Sequence, residues 1–109
     1  ESVHTADDLA SLEGLYDAVN IKLDKCGGLT EGLLMARRAR ELGKRAMVGN
    51  MCGSSLAMAP GFVLGQLCEV VDLDGPLSLK RDRDVTVRYR DGRIECPDAV
   101  WGGPLFAAA

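Results

Sequence analysis

The chain contains a single histidine, His4, and no pair of cysteines in a C-x-x-C spacing. A zinc centre needs several clustered Cys or His ligands, so these absences argue against one. The formal net charge of −3 argues against a nucleic-acid partner, which would normally meet a basic patch. No apolar run approaches the roughly 18 residues of a membrane span, and no basic-then-apolar leader opens the chain. We expect a soluble, mildly acidic domain without a nucleic-acid or membrane partner.

The cysteines that are present are widely and unevenly spaced, at Cys26, Cys52, Cys68 and Cys96. A chain of 109 residues is long enough to form a core, so a disulfide-stapled mini-protein is not indicated. Three of these cysteines adjoin apolar or glycine-rich segments, which favours buried free thiols over disulfides. Free thiols are typical of a reducing compartment, and we therefore expect a cytoplasmic protein.

Strands and helices alternate along most of the chain. The predicted strands cover residues 18–24, 46–50 and 70–74, and the predicted helices cover residues 5–15, 30–42 and 54–67. The last helix is expected to be broken or kinked near Pro60-Gly61. After Pro76 the pattern changes, because residues 85–89 and 93–96 flank Asp91-Gly92, a strong signal for a two-residue hairpin turn.

The polar faces of these strands decide between an open sheet and a barrel. In residues 18–24, apolar residues alternate strictly with Asn20, Lys22 and Asp24. An open doubly wound sheet is covered by helices on both faces, so these polar side chains would be buried at a cost. In a (β/α) barrel the same face points inward near the mouth, where the fold places catalytic residues. Because a closed barrel needs eight strands and about 250 residues, the sequence predicts an α/β fold that supplies only part of a barrel.

Lys22 is the first candidate for chemistry, because a lysine that projects into a barrel mouth can act as an acid/base catalyst. Lys25, three residues later, could supply a neighbouring cation. The alternative is a structural lysine that pairs with Asp24 or extends to solvent from the end of its strand. The residue pattern alone leaves both interpretations open.

Asp72 and Asp74 are the second candidates. Two carboxylates two residues apart on a strand point the same way, so together they form an anionic site. Such a site suits an ammonium group or a divalent cation. The alternative is a solvated strand end followed by a turn at Gly75-Pro76.

Asn50 is the third candidate, at the start of a small polar segment (NMCGSS) between a strand and a helix. The backbone of this segment could hold a ligand at the N-terminus of the helix. The alternative is an ordinary loop in which Ser54 or Ser55 caps the helix. Cys52 is a weak candidate nucleophile because no histidine lies near it in sequence, and the glycines fit no dinucleotide or phosphate fingerprint.

Taken together, these segments resemble the C-terminal part of the barrel domain of the enolase superfamily. The resemblance is to the muconate-lactonizing subgroup, and within it most of all to the dipeptide (L-Ala-D/L-Glu) epimerases. The matching segments are Glu1-Ser2-Val3, Asn20-Ile21-Lys22 through Lys25-x-Gly27-Gly28, Met47-Val48-Gly49-Asn50-Met51 and Asp72-Leu73-Asp74-Gly75-Pro76-Leu77. The K-x-x-K-x-G-G pattern points to the subgroup, and D-x-D before G-P-L points to the dipeptide epimerases.

The resemblance implies a Mg²⁺-dependent isomerase that epimerises a dipeptide by moving the proton α to a carboxylate. It implies that Lys22 is one of two acid/base lysines and that Asp72 and Asp74 hold the α-ammonium group of the substrate. Asn50 falls at a substrate-contacting position that is often serine in the family. The three carboxylate ligands of Mg²⁺ would lie outside this chain, the last of them just before Glu1. No residue of this chain is therefore assigned to the metal.

The same resemblance implies a domain organisation. Residues 1–80 would be the C-terminal βα units of the barrel, and residues 81–109 a tail that packs on the capping domain. The expected partners are the rest of the barrel, this capping domain and a small-molecule dipeptide, while a homo-oligomer is left open. Because the chain begins at Glu1 without a methionine, we expect a segment of a longer protein.

Other interpretations remain. The same scaffold supports cycloisomerases and dehydratases, such as muconate cycloisomerase and o-succinylbenzoate synthase, but their anionic substrates would face like charges at Asp72 and Asp74. Lys22 could instead be the Schiff-base nucleophile of an aldolase. By itself the chain could also be an inactive barrel fragment, since the expected metal ligands and the partner lysine lie outside it.

Overall fold

A three-stranded parallel sheet forms the centre of the computed structural model, which describes residues 2–102. The strands lie in the order β1 (Ala18–Lys22), β2 (Arg45–Gly49) and β3 (Val70–Val71). The helices are α1 (Leu23–Cys26), α2 (Leu29–Glu41) and α3 (Ser55–Gly65), and an antiparallel hairpin of β4 (Arg88–Arg90) and β5 (Arg93–Glu95) follows. Short 3₁₀ segments cover Asp7–Leu12, Gly75–Ser78 and Asp98–Trp101. Across residues 2–102, no helix is both long enough and apolar enough to cross a membrane.

Helices α2 and α3 cover one face of the parallel sheet. Val19 and Ile21 of β1 and Val48 of β2 are buried on that face, together with residues of both helices. Asn20 and Lys22 alternate with these apolar residues and lie on the opposite face. No helix of the described residues covers this second face, as expected for part of a barrel and not for a doubly wound sheet. The prediction of an α/β barrel segment followed by a hairpin is therefore confirmed.

Two of the predicted strands are longer than the structure has them. β1 ends at Lys22 and not at residue 24, because the chain turns into α1 and the Leu23 side chain packs beneath α2, where a Cβ on Gly32 would lie 2.6 Å from Leu23 Cδ2. β3 contains only Val70 and Val71, so residues 72–74 lie beyond the strand. The expected helix over residues 5–15 is a shorter 3₁₀ segment, although the Asp8 carboxylate does accept the backbone N–H groups of His4 and Thr5 at 2.9 Å.

Helix α3 continues through Pro60, so the expected break does not occur. Proline removes one backbone hydrogen bond, but the helix holds because its buried side chains pack on the sheet. The following Gly61 has a packing reason, since a Cβ there would lie 2.8 Å from Leu73 Cδ2. The glycine allows α3 to approach the segment after β3 closely.

The predicted hairpin is confirmed. Asp91 and Gly92 have φ values of 50° and 72°, the left-handed pair that a type I′ turn between two strands requires. Tyr89 pairs with Ile94 in the register of this hairpin.

All four cysteines are free, as predicted. Cys26, Cys68 and Cys96 are only half-buried, however, and Cys52 is exposed. Burial raises the pKa of the Cys68 thiol to about 11, with a contribution from the neighbouring Glu69 carboxylate, so this thiol stays protonated near neutral pH. The cytoplasmic location stays a prediction.

The tail after β3 packs on α3. Val87 and Val100 join the hydrophobic core, and the fully buried Ser55 donates its hydroxyl to the Asp82 carboxylate. The same carboxylate accepts the backbone N–H of Ser55 at 3.0 Å, and the Ser55 hydroxyl accepts that of Val87 at 3.0 Å. Asp82 thus joins the tail to the first turn of α3. The boundary between residues 1–80 and 81–109, and the packing of the tail on a capping domain, stay predictions, and residues 103–109 lie outside the described part.

Acid is predicted to weaken this attachment. Burial by itself would raise the pKa of Asp82, but the hydrogen bonds from Ser55 and Arg83 outweigh it and hold the pKa below 3.8. A lowered pKa contributes stability that is present above the unfolded value and is lost as the pH falls through the folded value. Asp82→Asn should lower the thermal midpoint near neutral pH, and its difference from wild type should shrink below about pH 3.8. The exposed Asp84 offers the control Asp84→Asn; a deficit in Asp82→Asn that does not change with pH would contradict this account.

Candidate active site

The carboxyl ends of the parallel strands meet at one edge of the sheet. Lys22 is the last residue of β1 and pairs with Gly49, the last residue of β2. Asn50 follows β2, and Asp72 follows β3. Two strand spacings of about 4.8 Å place the backbones of Lys22 and Asp72 roughly 10 Å apart along this edge. The sheet therefore brings three of the four predicted site residues to one edge.

Lys22 lies half-buried on the sheet face that the helices leave uncovered. Within residues 2–102 the Lys22 side chain makes no hydrogen bond or ion pair, so it does not pair with Asp24, while the alternative of a lysine that extends to solvent stays open. Asn20 lies on the same face, and its side chain packs against Gly49. A Cβ at position 49 would lie 2.7 Å from the Asn20 Oδ1 atom. The ammonium group of Lys22 is therefore available to a ligand, while its catalytic role stays a prediction.

Asp72 and Asp74 are both exposed, and the residue between them, Leu73, is only 2% exposed. Leu73 packs against Gly61 of α3. The two carboxylates thus flank a buried anchor, although they do not lie on a strand as predicted. Their binding role is untested by this geometry and stays a prediction.

The backbone around the two aspartates is held by hydrogen bonds. The N–H of Asp72 donates to the Val48 carbonyl at 3.0 Å, and the Asp74 carbonyl accepts the N–H of Leu77 at 2.9 Å. The hydroxyl of Tyr89 in the hairpin donates to the carbonyl of Leu73. The tail therefore contributes directly to the segment that carries both carboxylates.

Asn50 uses both ends of its side-chain amide within the protein. Its Nδ2 atom donates to the Asp72 carbonyl at 3.0 Å, and its Oδ1 atom accepts the N–H of Gly75 at 2.7 Å. The predicted contact between Asn50 and the substrate stays a prediction. In this geometry the amide connects two backbone groups, and these two bonds leave one N–H donor and one oxygen lone pair of the side chain.

One backbone N–H at the N-terminus of α3, a ligand site considered from the sequence, is bonded within the protein. The Asp82 carboxylate accepts the N–H of Ser55 there, and Ser54 makes no capping hydrogen bond with its side chain. Cys52 is exposed in the same loop, with its sulfur 3.8 Å from Ser78 Oγ. Binding of a ligand at this helix N-terminus stays a prediction.

The described residues do not form a magnesium site. No group of three or more His, Cys, Asp or Glu side chains within residues 2–102 is placed to hold a metal ion. A Mg²⁺ ion bound by the whole protein would therefore have to take ligands from elsewhere, and the absence of metal ligands from this chain stays a prediction.

A cavity of about 360 Å³ separates the aspartate segment from the hairpin. Asp72, Asp74 and residues 89–94 contribute to its lining, and Lys22 does not. This cavity therefore does not connect Lys22 with the two aspartates.

Two contributions to the site were missed from the sequence. Tyr89 was assigned only to a hairpin strand, and Asp82 only to a tail. The sequence around these two residues does not indicate their contacts, because each bonds a residue that is distant in the chain. Leu73 lies 16 residues from Tyr89, and Ser55 lies 27 residues from Asp82.

No protein-family model matches the chain, but curated relatives do. The chain is 48% identical over 104 residues to an N-acetyl-D-glutamate racemase from Pseudoalteromonas, which covers 94% of this chain and 33% of the relative. It is 42% identical over 94 residues to the L-Ala-D/L-Glu epimerase of Escherichia coli K12, which covers 86% of this chain and 29% of that protein. The chain thus spans about a third of the length of the curated relatives it matches.

Solved structures agree with these relatives. An enolase family member from Agrobacterium tumefaciens with homology to dipeptide epimerases, solved with sodium and L-Ala-L-Glu, superposes with a TM-score of 0.81 at 52% identity. The match covers 85% of this chain and 28% of that one. A dipeptide epimerase from Methylococcus capsulatus, solved with Mg and L-Arg-D-Lys, gives a TM-score of 0.79 at 30% identity, over 88% of this chain and 29% of that one.

The fold, the polar strand edge and these similarities place the chain in the enolase superfamily, as a segment of its barrel. Within the superfamily, relatives that match most of the chain carry the names of dipeptide epimerases and of an N-acetyl-D-glutamate racemase. The resemblance seen in the sequence motifs is thus confirmed.

Proposed function

We propose that the protein containing this chain is a Mg²⁺-dependent dipeptide epimerase. The observation that carries the proposal is the placement of Lys22 and Asp72 at one edge of the sheet, with Asp74 beside Asp72. The expected substrate has an ammonium group at one end and, next to a carboxylate, an α-carbon whose proton must be exchanged. The names of the relatives support this choice.

The residues of this chain have separate roles in the proposal. Asp72 and Asp74 bind the substrate ammonium group, and this contact fixes the distance of the reacting α-carbon from the sheet edge. Lys22 exchanges a proton with one face of that α-carbon, and a second base from elsewhere in the protein serves the other face. Both carboxylates carry negative charge, so they favour an amine-terminated substrate over an anionic one.

A second candidate function follows from the relative at 48% identity, which is named as an N-acetyl-D-glutamate racemase. An N-acetylated amino acid has no ammonium group, so Asp72 and Asp74 would find no cation to bind. The chemistry at the α-carbon would be the same, and Lys22 would keep its role. The two candidates therefore differ only in the group that meets the two aspartates.

The direct test uses the full-length protein with L-Ala-L-Glu and Mg²⁺ in D₂O. Proton transfer at the α-carbon should incorporate one deuterium, which mass spectrometry detects. N-acetylglutamate tested in parallel should exchange more slowly at equal concentration. Absence of exchange across a panel of dipeptides would exclude the epimerase, and exchange with N-acetylglutamate alone would favour the second candidate.

Lys22→Ala is predicted to abolish exchange from at least one stereoisomer of the substrate, because one face of the α-carbon then has no base. Loss of general acid/base catalysis costs about 10²- to 10⁴-fold in rate. Lys44→Ala provides a matched control, since Lys44 binds the carbonyls of Leu12 and Tyr16 away from the sheet edge. Unchanged rates from both stereoisomers in Lys22→Ala would remove this lysine from the mechanism.

Asp72→Asn is predicted to raise KM for L-Ala-L-Glu, with a smaller effect on kcat, because it removes a charge that binds the substrate ammonium group. N-acetyl-L-Ala-L-Glu lacks that charge, and its affinity should not fall. Steady-state kinetics with the free dipeptide and inhibition by the acetylated one make the comparison. Equal losses of affinity for both compounds would contradict the ammonium-binding role.

A further inference from the structure

We infer that Asn50 and Tyr89 are positioning residues that hold the Asp72–Asp74 segment in its binding geometry. Asn50 acts from the loop after β2, and Tyr89 acts from the C-terminal hairpin. The inference rests on the proposed function, because that function gives the two aspartates their role. The new assignment is that these two residues support the aspartates through the backbone of the segment.

The Asn50 amide is suited to this task because it presents a donor and an acceptor from one planar group. The donor meets the Asp72 carbonyl at 3.0 Å, and the acceptor meets the Gly75 N–H at 2.7 Å. One side chain therefore closes the turn on both sides of Leu73 and Asp74. An aspartate at position 50 would keep the acceptor for Gly75 but would place negative charge against the Asp72 carbonyl.

Gly75 allows the contact with Asn50. A Cβ at this position would lie 2.4 Å from Asn50 Oδ1 and 3.0 Å from the Met51 carbonyl oxygen. The Asn50 amide thus fits against bare backbone, and any side chain at position 75 would push it away. Overpacking of this kind typically costs about 1–3 kcal/mol.

Tyr89 holds the middle of the same segment through the hydrogen bond from its hydroxyl to the Leu73 carbonyl. Burial raises the pKa of Tyr89 to about 12, and the Asp74 and Asp82 carboxylates add to the effect. The hydroxyl therefore remains a donor throughout the neutral range. Since β3 ends at Val71, strand pairing does not hold the backbone from Leu73 to Gly75, and these side chains fix it together with the buried Leu73.

The placement of the backbone matters because the Asp72 and Asp74 side chains are themselves exposed. An exposed carboxylate has few contacts of its own to fix it. Binding groups must keep their positions to within about 0.5 Å to orient a substrate productively. Loss of either support should therefore weaken binding of the ammonium group more than it slows the chemistry.

The kinetic test compares Asn50→Ala, Asn50→Asp and Tyr89→Phe with wild type in the full-length protein. Each variant should raise KM for L-Ala-L-Glu about three- to ten-fold, the loss expected for one hydrogen bond, and change kcat less than about two-fold. Inhibition by N-acetyl-L-Ala-L-Glu should not change. The controls are Gln66→Ala, which removes a surface amide bonded to the Phe62 carbonyl, and Tyr16→Phe, on an exposed ring. Equal effects on both ligands, or wild-type KM in Asn50→Ala and Tyr89→Phe, would overturn the inference.

Hydrogen exchange provides a readout that needs no activity. The Gly75 amide should exchange faster in Asn50→Ala than in wild type, and Gln66→Ala should leave it unchanged. Unaltered exchange in Asn50→Ala would overturn the role of Asn50. Faster exchange in a protein with no epimerase activity would instead overturn the proposed function and the positioning role that rests on it, so the two failures are distinguishable.

Discussion

The arrangement of the remaining elements depends on the parallel pairing of β1 with β2, in a register that sets Lys22 opposite Gly49. Parallel strands point their carboxyl ends the same way, so each residue that follows a strand reaches the same edge. Helices on one side leave the other side of the sheet open, with Asn20 and Lys22 on it. The Lys22 side chain lies at one end of this edge, and the Asp72 and Asp74 carboxylates lie toward the other. In the proposed function, this separation of charge favours a substrate with an ammonium group over a uniformly anionic one.

Side-chain contacts hold the segment after β3, where strand pairing has ended. β3 is only two residues long, and the Asp72–Asp74 segment begins where it ends. Asn50, Tyr89 and the buried Leu73 side chain hold this segment, while Asp82 joins the tail that carries Tyr89 to the start of α3. The C-terminal tail is therefore part of the structure of the site, in addition to any contact it makes with a capping domain.

Local chemistry made much of the fold predictable. The alternation in residues 18–22 identified β1 and its polar face, and Asp91-Gly92 identified the hairpin through the backbone conformation that such a turn needs. The ends of strands were less predictable. Leu23 continues the alternation of β1, but its packing under α2 turns the chain out of the sheet. Likewise, nothing in the sequence near Asn50 indicates that its amide binds the backbone of residues more than 20 positions away.

The close contact between Asn50 and Gly75 has a consequence for sequence variation among homologues. A larger residue at position 75 requires a smaller one at position 50, because their atoms compete for the same space. A smaller residue at position 50 in turn loses the hydrogen bonds to the Asp72 carbonyl and the Gly75 N–H. The segment between them must then be held by other contacts. The two positions are therefore expected to covary, and substitutions at one without the other should be selected against. Their pairing offers a way to separate homologues that share this support of the aspartate segment from those that hold it by other contacts.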